Sequence, residues 1–226
     1  MKLTYFGHST FLLQTLHGNI LFDPFISPNP KAAHIDIAGI NPEYILISHA
    51  HSDHIADLVT IAKQSNAKVI ANWEIIQWCG QQGITNLHPM NTGGKYSFDI
   101  GHIHATIAQH SSSFPDGMYG GNPMGFIIEN NEGTVYYAGD TALTLDMQLL
   151  AKKFTISTAL LPIGDNFTMD YKDALIASDF INCKSIIGMH YDTFDIISID
   201  REAAIQDFEQ AGKSLFLPSI GQTFDI

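Results

Sequence analysis

Short apolar segments recur along the chain and are separated by Gly, Pro, Asn and Asp. Segments rich in Ile, Leu, Val, Phe and Tyr and bounded by such turn residues predict β-strands. In the first half the predicted strands are Lys2–Phe6, Thr10–Gln14, Asn19–Phe22, Tyr44–Ile47, Lys68–Ala71, Lys95–Phe98 and His102–Ala108. In the second half they are Met124–Glu129, Thr134–Ala138, Ala159–Pro162, Ser185–Met189 and Ser214–Leu217.

Longer amphipathic segments lie between these strands and predict helices. They are Asp57–Gln64, Trp73–Cys79, Leu145–Lys152, Lys172–Phe180 and Arg201–Ala211. Both halves of the chain begin with successive strands and continue with alternating strands and helices, and no Pro/Ser-rich linker divides them. We therefore predict an α/β fold in one domain, residues 1–226, built as a four-layer αββα sandwich with two mixed sheets face to face and helices outside.

Polar residues with metal-binding side chains repeatedly follow the apolar strand patterns. Such a residue ends six of the predicted strands or lies just beyond them: Asp23, His49, His110, Asp140, Asp165 and His190. In α/β folds, ligand sites collect at the carboxyl ends of strands, because the loops there converge on one edge of the sheet. The pattern therefore indicates one convergent site.

The most informative motif is the segment from His49 to His54, which reads HAHSDH. In an extended backbone, side chains two residues apart point to the same side, so His49 and His51 are placed to bind one ion. Asp53 and His54 lie at the turn into a helix and are aimed at a second ion. A solvated, inert His-rich turn is the alternative, but the donors at distant strand ends favour a metal site.

A two-metal site needs further donors and preferably a carboxylate that bridges the ions. His110, Asp140 and His190 provide suitable side chains, and Gly139 allows the backbone before Asp140 to approach closely. Each residue also has an ordinary structural explanation: a loop histidine, an N-cap of the following helix and a hydrogen-bonded core residue, respectively. Together with the HAHSDH motif, the metal-ligand interpretation is favoured.

These residues resemble the metallo-β-lactamase superfamily. The order H-x-H-x-D-H, then His110, Asp140 and His190, with Asp23 in Phe22-Asp23-Pro24, is similar to its dinuclear hydrolases. The segments GHSTFLL, LFDPF, QHSSS, GNPMGF, AGDTAL, LLPIGDNFTM and MHYDTF resemble the compact "metal-dependent hydrolase" family within that superfamily.

The resemblance implies a site residue by residue. His49, His51 and His110 would hold the first metal; Asp53, His54 and His190 would hold the second, and Asp140 would bridge them. Asp23 would orient a ligand histidine from behind. The implied cofactor is two divalent ions, with Zn as first choice and Mn, Ni or Fe as alternatives, because imidazole and carboxylate ligands suit all four.

The expected function is hydrolysis of a small ester, lactone or phosphoester by a metal-bound hydroxide. Asp53 is expected to orient the nucleophile or carry its proton. His8 is a second catalytic candidate, which could donate a hydrogen bond to substrate or protonate the leaving group, and a capping or core histidine is an equal alternative. Two other functions remain open: an inactive metal-binding or regulatory module, and a phosphodiesterase acting on nucleotide or phospholipid substrates.

Composition narrows the range of partners. The 226 residues include 11 Lys and Arg, 23 Asp and Glu, and 11 His, for a formal charge of −12. This acidic balance argues against nucleic acid as a partner. No signal peptide and no apolar stretch of about 18 residues is present. We expect a cytoplasmic protein without membrane insertion that acts on a small molecule, and a homo-oligomer remains open.

The remaining polar residues of interest are a turn near the site, five further histidines and two cysteines. Asp165, Asn166 and Phe167 are expected to line or brace the site, with simple turn formation as the competing explanation. The remaining histidines (His17, His34, His88, His102 and His104) are expected to have no part in the site. The last two alternate along a strand, so they could face solvent or bind adventitious metal, but no third ligand is apparent for them. Cys79 and Cys183 are expected to be reduced and buried.

Overall fold

The computed structural model describes residues 1–226 and contains two seven-stranded sheets. The strands of the first sheet are β1 (Lys2–Gly7), β2 (Thr10–Thr15), β3 (Gly18–Phe22), β4 (Tyr44–Leu46), β5 (Lys68–Ala71), β6 (Leu87–Pro89) and β14 (Thr223–Asp225). The strands of the second are β7 (Lys95–Phe98), β8 (Gly101–Ile107), β9 (Met124–Asn130), β10 (Gly133–Tyr137), β11 (Thr158–Pro162), β12 (Ser185–Met189) and β13 (Ser214–Phe216).

The two sheets share one topology. In the first, the order is β14-β1-β2-β3-β4-β5-β6; the pairs from β14 to β3 are antiparallel, and those from β3 to β6 are parallel. In the second, the order is β13-β12-β11-β10-β9-β8-β7; the pairs from β7 to β10 are antiparallel, and those from β10 to β13 are parallel. This mixed pattern in each half confirms the repeat predicted from the order of strands and helices.

Six helices accompany the sheets. They are α1 (Ser52–Ile55), α2 (Leu58–Ser65), α3 (Trp73–Gln81), α4 (Met147–Lys153), α5 (Tyr171–Phe180) and α6 (Arg201–Gln210). Side-chain caps explain three of the starts: Asn72, Asp170 and Asp200 accept hydrogen bonds from backbone amides in the first turns of α3, α5 and α6. None of the helices has the length and apolar character needed to cross a bilayer.

The main core lies between the two sheets. Phe11 and Phe22 from the first sheet and Phe126 and Tyr137 from the second are fully buried in one cluster, and the rings of Phe22 and Tyr137 stack with centroids 4.5 Å apart. A second cluster lies between the outer face of the first sheet and helices α2 and α3. The predicted αββα sandwich is therefore confirmed, and burial of apolar side chains on both faces of each sheet stabilises it.

The structure adds elements that the pattern did not predict. Strands β6 and β14 have three residues each, which is too short for a hydrophobic period to be visible, and both lie at the edges of the first sheet. The HAHSDH segment contains its own one-turn helix, α1, separate from the predicted helix that follows it. Cys79 and Cys183 are buried free thiols, as predicted.

Candidate metal centre

The seven predicted metal ligands meet at one edge of the sandwich. His49 and Asp140 follow β4 and β10, while His110 and His190 follow β8 and β12. Strands β8, β10 and β12 run in the same direction, so their carboxyl ends lie on the same side of the second sheet. The sheet topology therefore brings the polar residues at these strand ends together, as their positions in the sequence predicted.

The carboxylate of Asp140 lies at the middle of the cluster. Its Oδ2 atom is 3.0 Å from Nε2 of His190, 3.3 Å from Nε2 of His54, 3.7 Å from Nε2 of His110 and 4.0 Å from Nε2 of His49. The Asp140 side chain is almost completely buried. One oxygen atom is thus shared among imidazoles from both halves of the molecule.

One group of donors consists of His49, His51 and His110, whose ligand atoms all lie within 4.8 Å of one another. His51 has an extended backbone (φ −65°, ψ 148°) and precedes α1, so it projects to the same side as His49. Nε2 of His49 is 3.0 Å from Nδ1 of His51. Ser111 Oγ, from the loop that begins at His110, lies 3.3 Å from Nε2 of His51.

A second group consists of His8, Asp53, His54 and His190, again with ligand atoms within 4.8 Å of one another. The single turn of α1 presents Asp53 and His54 together. Nε2 of His190 is 3.8 Å from Oδ2 of Asp53, and Nε2 of His54 is 3.9 Å from the same oxygen. The structure therefore places His8, the residue predicted outside the ligand set, among these donors.

His8 is held from both sides of its ring. Nε2 lies 3.0 Å from Oδ2 of Asp53, and Nδ1 lies 2.9 Å from Oγ1 of Thr193. The residue is 1% exposed, so the ring is enclosed by protein. Its backbone carbonyl also accepts a hydrogen bond of 2.9 Å from the amide of His190, which ties the first sheet to the second at the centre.

Asp23 lies behind the cluster and orients it. Its Oδ2 atom accepts hydrogen bonds from Nδ1 of His54 at 2.8 Å and from the phenol of Tyr137 at 2.7 Å. The backbone amide of Ser48 donates to Oδ1 at 2.8 Å, while the Ser48 hydroxyl donates to Oδ2. The Ser48 hydroxyl also lies 2.9 Å from Nδ1 of His49. A buried carboxylate that fixes the ring of a ligand histidine is a common feature of metal sites.

The backbone at the centre adopts uncommon conformations. Three residues here have positive φ angles, a backbone region that residues other than Gly rarely occupy: His8 (55°), Asp23 (40°) and His190 (56°). Gly139 has φ +64°, and a Cβ atom there would lie 2.9 Å from Cβ of Ser48. Gly139 thus permits the close approach predicted before Asp140, and strain of this kind is concentrated at functional sites.

Burial and charge pull the pKa values of these groups in opposite directions. Burial lowers the pKa of His190, but the neighbouring carboxylate of Asp140 outweighs burial and raises this pKa to about 9. Burial raises the pKa of Asp140, and His190 and His54 outweigh that effect and lower it. Burial and the nearby His190 lower the pKa of His8 to about 4, against the effect of Asp53. The shared carboxylate is therefore ionised at neutral pH.

The donor set fits divalent metal ions. Nε2 of His54 and Oδ1 of Asp140 are buried and make no hydrogen bond, although Asp140 Oδ2 is only 3.3 Å from Nε2 of His54. Buried polar atoms are normally paired, so unpaired ones at a functional centre require a partner. Five imidazoles and two carboxylates form a ligand set suited to Zn, Mn, Fe or Ni.

A cleft of about 340 Å³ opens above these side chains. His51, Asp53 and Asp140 contribute to its floor, and the exposed ring of Phe167 lines its side. Asp165 and Asn166 are exposed and form a turn with φ values of 62° and 51°. Of these three neighbours, only Phe167 lines the cleft, whereas the other two shape the turn.

Three residues at the centre escaped the sequence analysis. Ser48, Tyr137 and Thr193 are uncharged and make their contacts with Asp23 and His8 across large sequence separations. Thr193 lies in the MHYDTF segment, whose resemblance to a known motif is the one signal that could have identified it. The other two residues are part of ordinary strand patterns.

Comparison with known proteins places the chain in a family. Residues 2–190 match the family described as beta-lactamase superfamily domain. The chain is similar to a metal-dependent hydrolase of Flavobacterium johnsoniae, with 49% identity over 226 residues and 100% of both chains covered. It is also similar to a metal-dependent hydrolase of Methylacidiphilum infernorum, with 51% identity over 209 residues and 92% of both chains covered.

A solved structure gives the same result at the level of the fold. A metallo hydrolase from the archaeon Ignicoccus hospitalis superposes with a TM-score of 0.89 at 34% identity, with 100% of this chain and 98% of that chain covered. The resemblance noted in the sequence and the αββα architecture are both confirmed by these matches. The chain therefore belongs to the metal-dependent hydrolase family of the metallo-β-lactamase superfamily.

Proposed function

We propose that this hydrolase binds two divalent metal ions and cleaves a small ester, lactone or phosphoester. The observation that carries the proposal is the position of Asp140, whose Oδ2 atom lies between the imidazoles of both donor groups. A carboxylate shared in this way offsets the repulsion between two nearby cations. His49, His51 and His110 would hold one ion, and Asp53, His54 and His190 would hold the other.

The chemistry that such ions supply when bound is activation of a water molecule near neutral pH and polarisation of the electrophilic oxygen of the substrate. Asp53 orients the attacking water, since it is the carboxylate of the second donor group that also lines the open cleft. Asp140 is too deeply buried for this role and acts on the donors around it.

We assign His8 a positioning role. Its ring is enclosed, and its Nε2 atom is bonded to Asp53, so it fixes the orientation of that carboxylate instead of touching substrate. Thr193 holds the other ring nitrogen and thereby sets the orientation of the ring. In this role His8 acts on the reaction through Asp53, and protonation of a leaving group is left to water or to Asp53.

The dimensions of the cleft support a small substrate. A volume of about 340 Å³ is at the lower end of the range of roughly 300–1,000 Å³ that is typical of small-molecule pockets. Phe167 offers an apolar surface for the part of the substrate that does not react. The net charge of −12 disfavours a long polyanion as substrate.

The test is metal reconstitution followed by a substrate panel. Protein stripped of metal by chelation is titrated with Zn, Mn, Ni or Fe(II), and hydrolysis of p-nitrophenyl acetate, a γ-lactone and bis-(p-nitrophenyl) phosphate is measured. We expect activity to saturate at two equivalents of metal. Saturation at one equivalent contradicts the dinuclear assignment, and failure to hydrolyse any of the compounds with any metal favours the inactive metal-binding module.

Variants separate the individual roles. Asp53→Ala should retain at least one bound metal and lose about 100-fold or more in kcat, because the nucleophile is no longer oriented. Asp57→Asn is the control: Asp57 is a buried carboxylate that follows the same short helix and accepts hydrogen bonds only from the backbone amides of Ile26 and Ser27. Full activity of metal-loaded Asp53→Ala would refute the role of Asp53.

A further inference from the structure

Two exposed phenylalanine rings stand on neighbouring loops beside the metal centre. Phe167 follows β11 and is 53% exposed, and Phe194 follows β12 and is 39% exposed. Strands β11 and β12 are parallel neighbours whose last residues, Pro162 and Met189, pair with each other. Each ring therefore lies the same short distance along the chain beyond the edge of the sheet where the metal donors collect. Large apolar side chains exposed together at such a place indicate a surface that contacts a ligand.

The two loops pack against each other over a metal donor. A Cβ atom at Gly164 would collide with the backbone carbonyl oxygen of His190 and would lie 3.2 Å from Cβ of Ile197. Ile197 ends the short 3₁₀ turn that begins directly after Phe194. Because Gly164 has no side chain, the loop that carries Phe167 lies directly on the loop that carries His190 and the second ring.

The loop of Phe167 is fixed in its conformation. Gly164 and Asp170 form an isolated antiparallel bridge that closes the loop. Between them, Asp165 and Asn166 have φ angles of 62° and 51°, and Phe167 comes next and lines the cleft above the metal donors. A ring that is already held in place loses little conformational freedom when a ligand packs on it, and this favours binding.

The ring of Phe194 borders the second donor group. It packs edge-on against the ring of His8 with centroids 5.6 Å apart, and its centroid is 6.4 Å from that of Phe25. Nε2 of His8 lies 3.0 Å from Oδ2 of Asp53, which lines the cleft. One edge of Phe194 is thus anchored next to the donors, while the rest of the ring remains open to solvent.

The cleft offers no basic side chain to an anionic substrate. Neither Lys nor Arg is among the residues that line it. The only arginine of the chain, Arg201, is 2.6 Å from the carboxylate of Asp192 and lies outside the cleft. Sites that act on phosphate esters commonly use Arg or Lys in addition to metal ions to hold the phosphate oxygens. The lining therefore favours an uncharged substrate.

We propose that the substrate of this centre is an uncharged carboxylic ester or lactone with an apolar chain that lies against Phe167 and Phe194. The inference rests on the proposed hydrolysis and narrows its substrate class. The ester group lies over the donors, and the chain extends along the two loops, where contact removes the rings and the chain from water. The two rings are specificity-determining residues, because they select among esters without touching the reacting bond.

A series of p-nitrophenyl esters with one leaving group tests this selection. Zinc-loaded protein is assayed with the acetate, the butyrate, the hexanoate and the mono-adipate, which has the length of the hexanoate and ends in a carboxylate. We expect kcat/KM to rise about 2- to 4-fold for each methylene that reaches the rings. The adipate should be hydrolysed less efficiently than the hexanoate, since no basic side chain meets its charge.

A binding measurement without turnover accompanies the kinetics. The ketones 2-butanone, 2-hexanone and 2-octanone have a neutral carbonyl and an apolar chain but no bond that can be hydrolysed. Each is titrated into the zinc-loaded protein while the aromatic NMR signals of Phe167 and Phe194 are followed. We expect saturable shifts of both rings and a Kd that falls with chain length by about the same factor per methylene.

Variants separate chain recognition from support of the metal centre. Phe167→Ala and Phe194→Ala should each lower the ratio of hexanoate to acetate kcat/KM by about fivefold or more, whereas Phe167→Leu and Phe194→Leu, which keep an apolar side chain, should retain most of it. The matched control is Phe216→Ala: Phe216 is also 39% exposed, but it lies beside Thr158 and Ser185, the first residues of β11 and β12, at the opposite end of these strands. It should leave the ratio unchanged.

Four outcomes would overturn the proposal. They are equal kcat/KM for acetate and hexanoate, a preference for the adipate, hydrolysis of bis-(p-nitrophenyl) phosphate without turnover of any carboxylic ester, and ketone binding that depends neither on chain length nor on the two rings. Failure of the proposed function has a different signature, because no ester or phosphate is then hydrolysed with any metal. The ketone titration still decides in that case whether the two rings bind an apolar chain.

Discussion

The clearest test of how the metal centre is held together is the substitution Asp23→Asn. Asp23 is fully buried and accepts hydrogen bonds from the amide and the hydroxyl of Ser48, from Nδ1 of His54 and from the phenol of Tyr137. An asparagine has nearly the same shape but only one acceptor oxygen, and its amide group is a donor. The variant therefore changes hydrogen-bonding capacity and charge while it preserves volume.

The expected magnitude follows from these contacts. If the asparagine oxygen takes the place of Oδ2, the NH₂ group faces the Ser48 amide, donor against donor, and a buried N–H loses its partner. Such a loss costs about 1–3 kcal/mol of stability. The ring of His54 also loses its anionic acceptor at 2.8 Å, and removal of a carboxylate of this kind typically weakens metal binding by about 10- to 100-fold.

The assay is competition for metal against a chromophoric chelator, with urea unfolding measured in parallel. On the two-metal assignment proposed above, we expect the ion bound in part by His54 to be released about 10- to 100-fold more readily from Asp23→Asn. The control is Asp57→Asn, in which the asparagine oxygen still accepts from the amides of Ile26 and Ser27 and the metal donors are untouched. That variant should bind both metals with wild-type affinity.

Two results would refute this reasoning. If Asp23→Asn keeps both metals at wild-type affinity, Asp23 does not orient His54 for metal binding. If Asp57→Asn loses metal to the same extent, the effect reflects general destabilisation of the fold and not the hydrogen bond to His54.

Three further predictions concern proton balance and backbone strain. His8→Gln removes the ring that holds Asp53 and should lower kcat about 10- to 100-fold with KM nearly unchanged; a change confined to KM in steady-state kinetics contradicts the positioning role. In protein stripped of metal, a carboxylate raises the pKa of His190 to about 9, so this ring is protonated at pH 7.5. Metal binding at that pH should release protons, and metal affinity should increase as the pH rises toward 9, because histidine binds metal only in its deprotonated form. Calorimetry in two buffers of different ionisation enthalpy measures the proton release. A metal affinity that does not depend on pH would contradict this prediction. Gly139→Ala combines positive φ with a Cβ contact at 2.9 Å and should cost about 1–3 kcal/mol in urea unfolding. Gly83→Ala also has positive φ, but its Cβ would meet only the Nζ atom of Lys63 at 4.0 Å, so it should cost less; equal losses would show that the close contact at Gly139 is unimportant.

Much of the candidate site is predictable because its donors follow local rules. His49 and His51 are two residues apart in an extended segment, and Asp53 and His54 fall in the next helical turn, so their grouping needs only short-range geometry. Strand-ending positions for more distant donors follow from apolar patterns that stop at an acid or a histidine. The repeat of antiparallel and then parallel strands is also readable, because strand–helix alternation dictates parallel pairing.

Other features depend on contacts that no local pattern contains. The partner of His8 is Thr193, which is 185 positions away, and Tyr137 reaches Asp23 across 114 positions. Both pairs form only because the two sheets pack face to face. The edge strands β6 and β14 are likewise too short to carry a period, and their pairing with β5 and β1 depends on where the chain returns after folding.

The sequence by itself determined the strand periods, the αββα architecture and the set of donors at strand ends, since these follow from spacing along the backbone and the chemistry of the side chains. The tertiary structure alone decided how the donors divide around Asp140 and which polar groups hold His8 and Asp23 in place. The physical reason is that burial and hydrogen bonding are set by the packing of sheet on sheet and helix on sheet, which joins residues far apart in the chain.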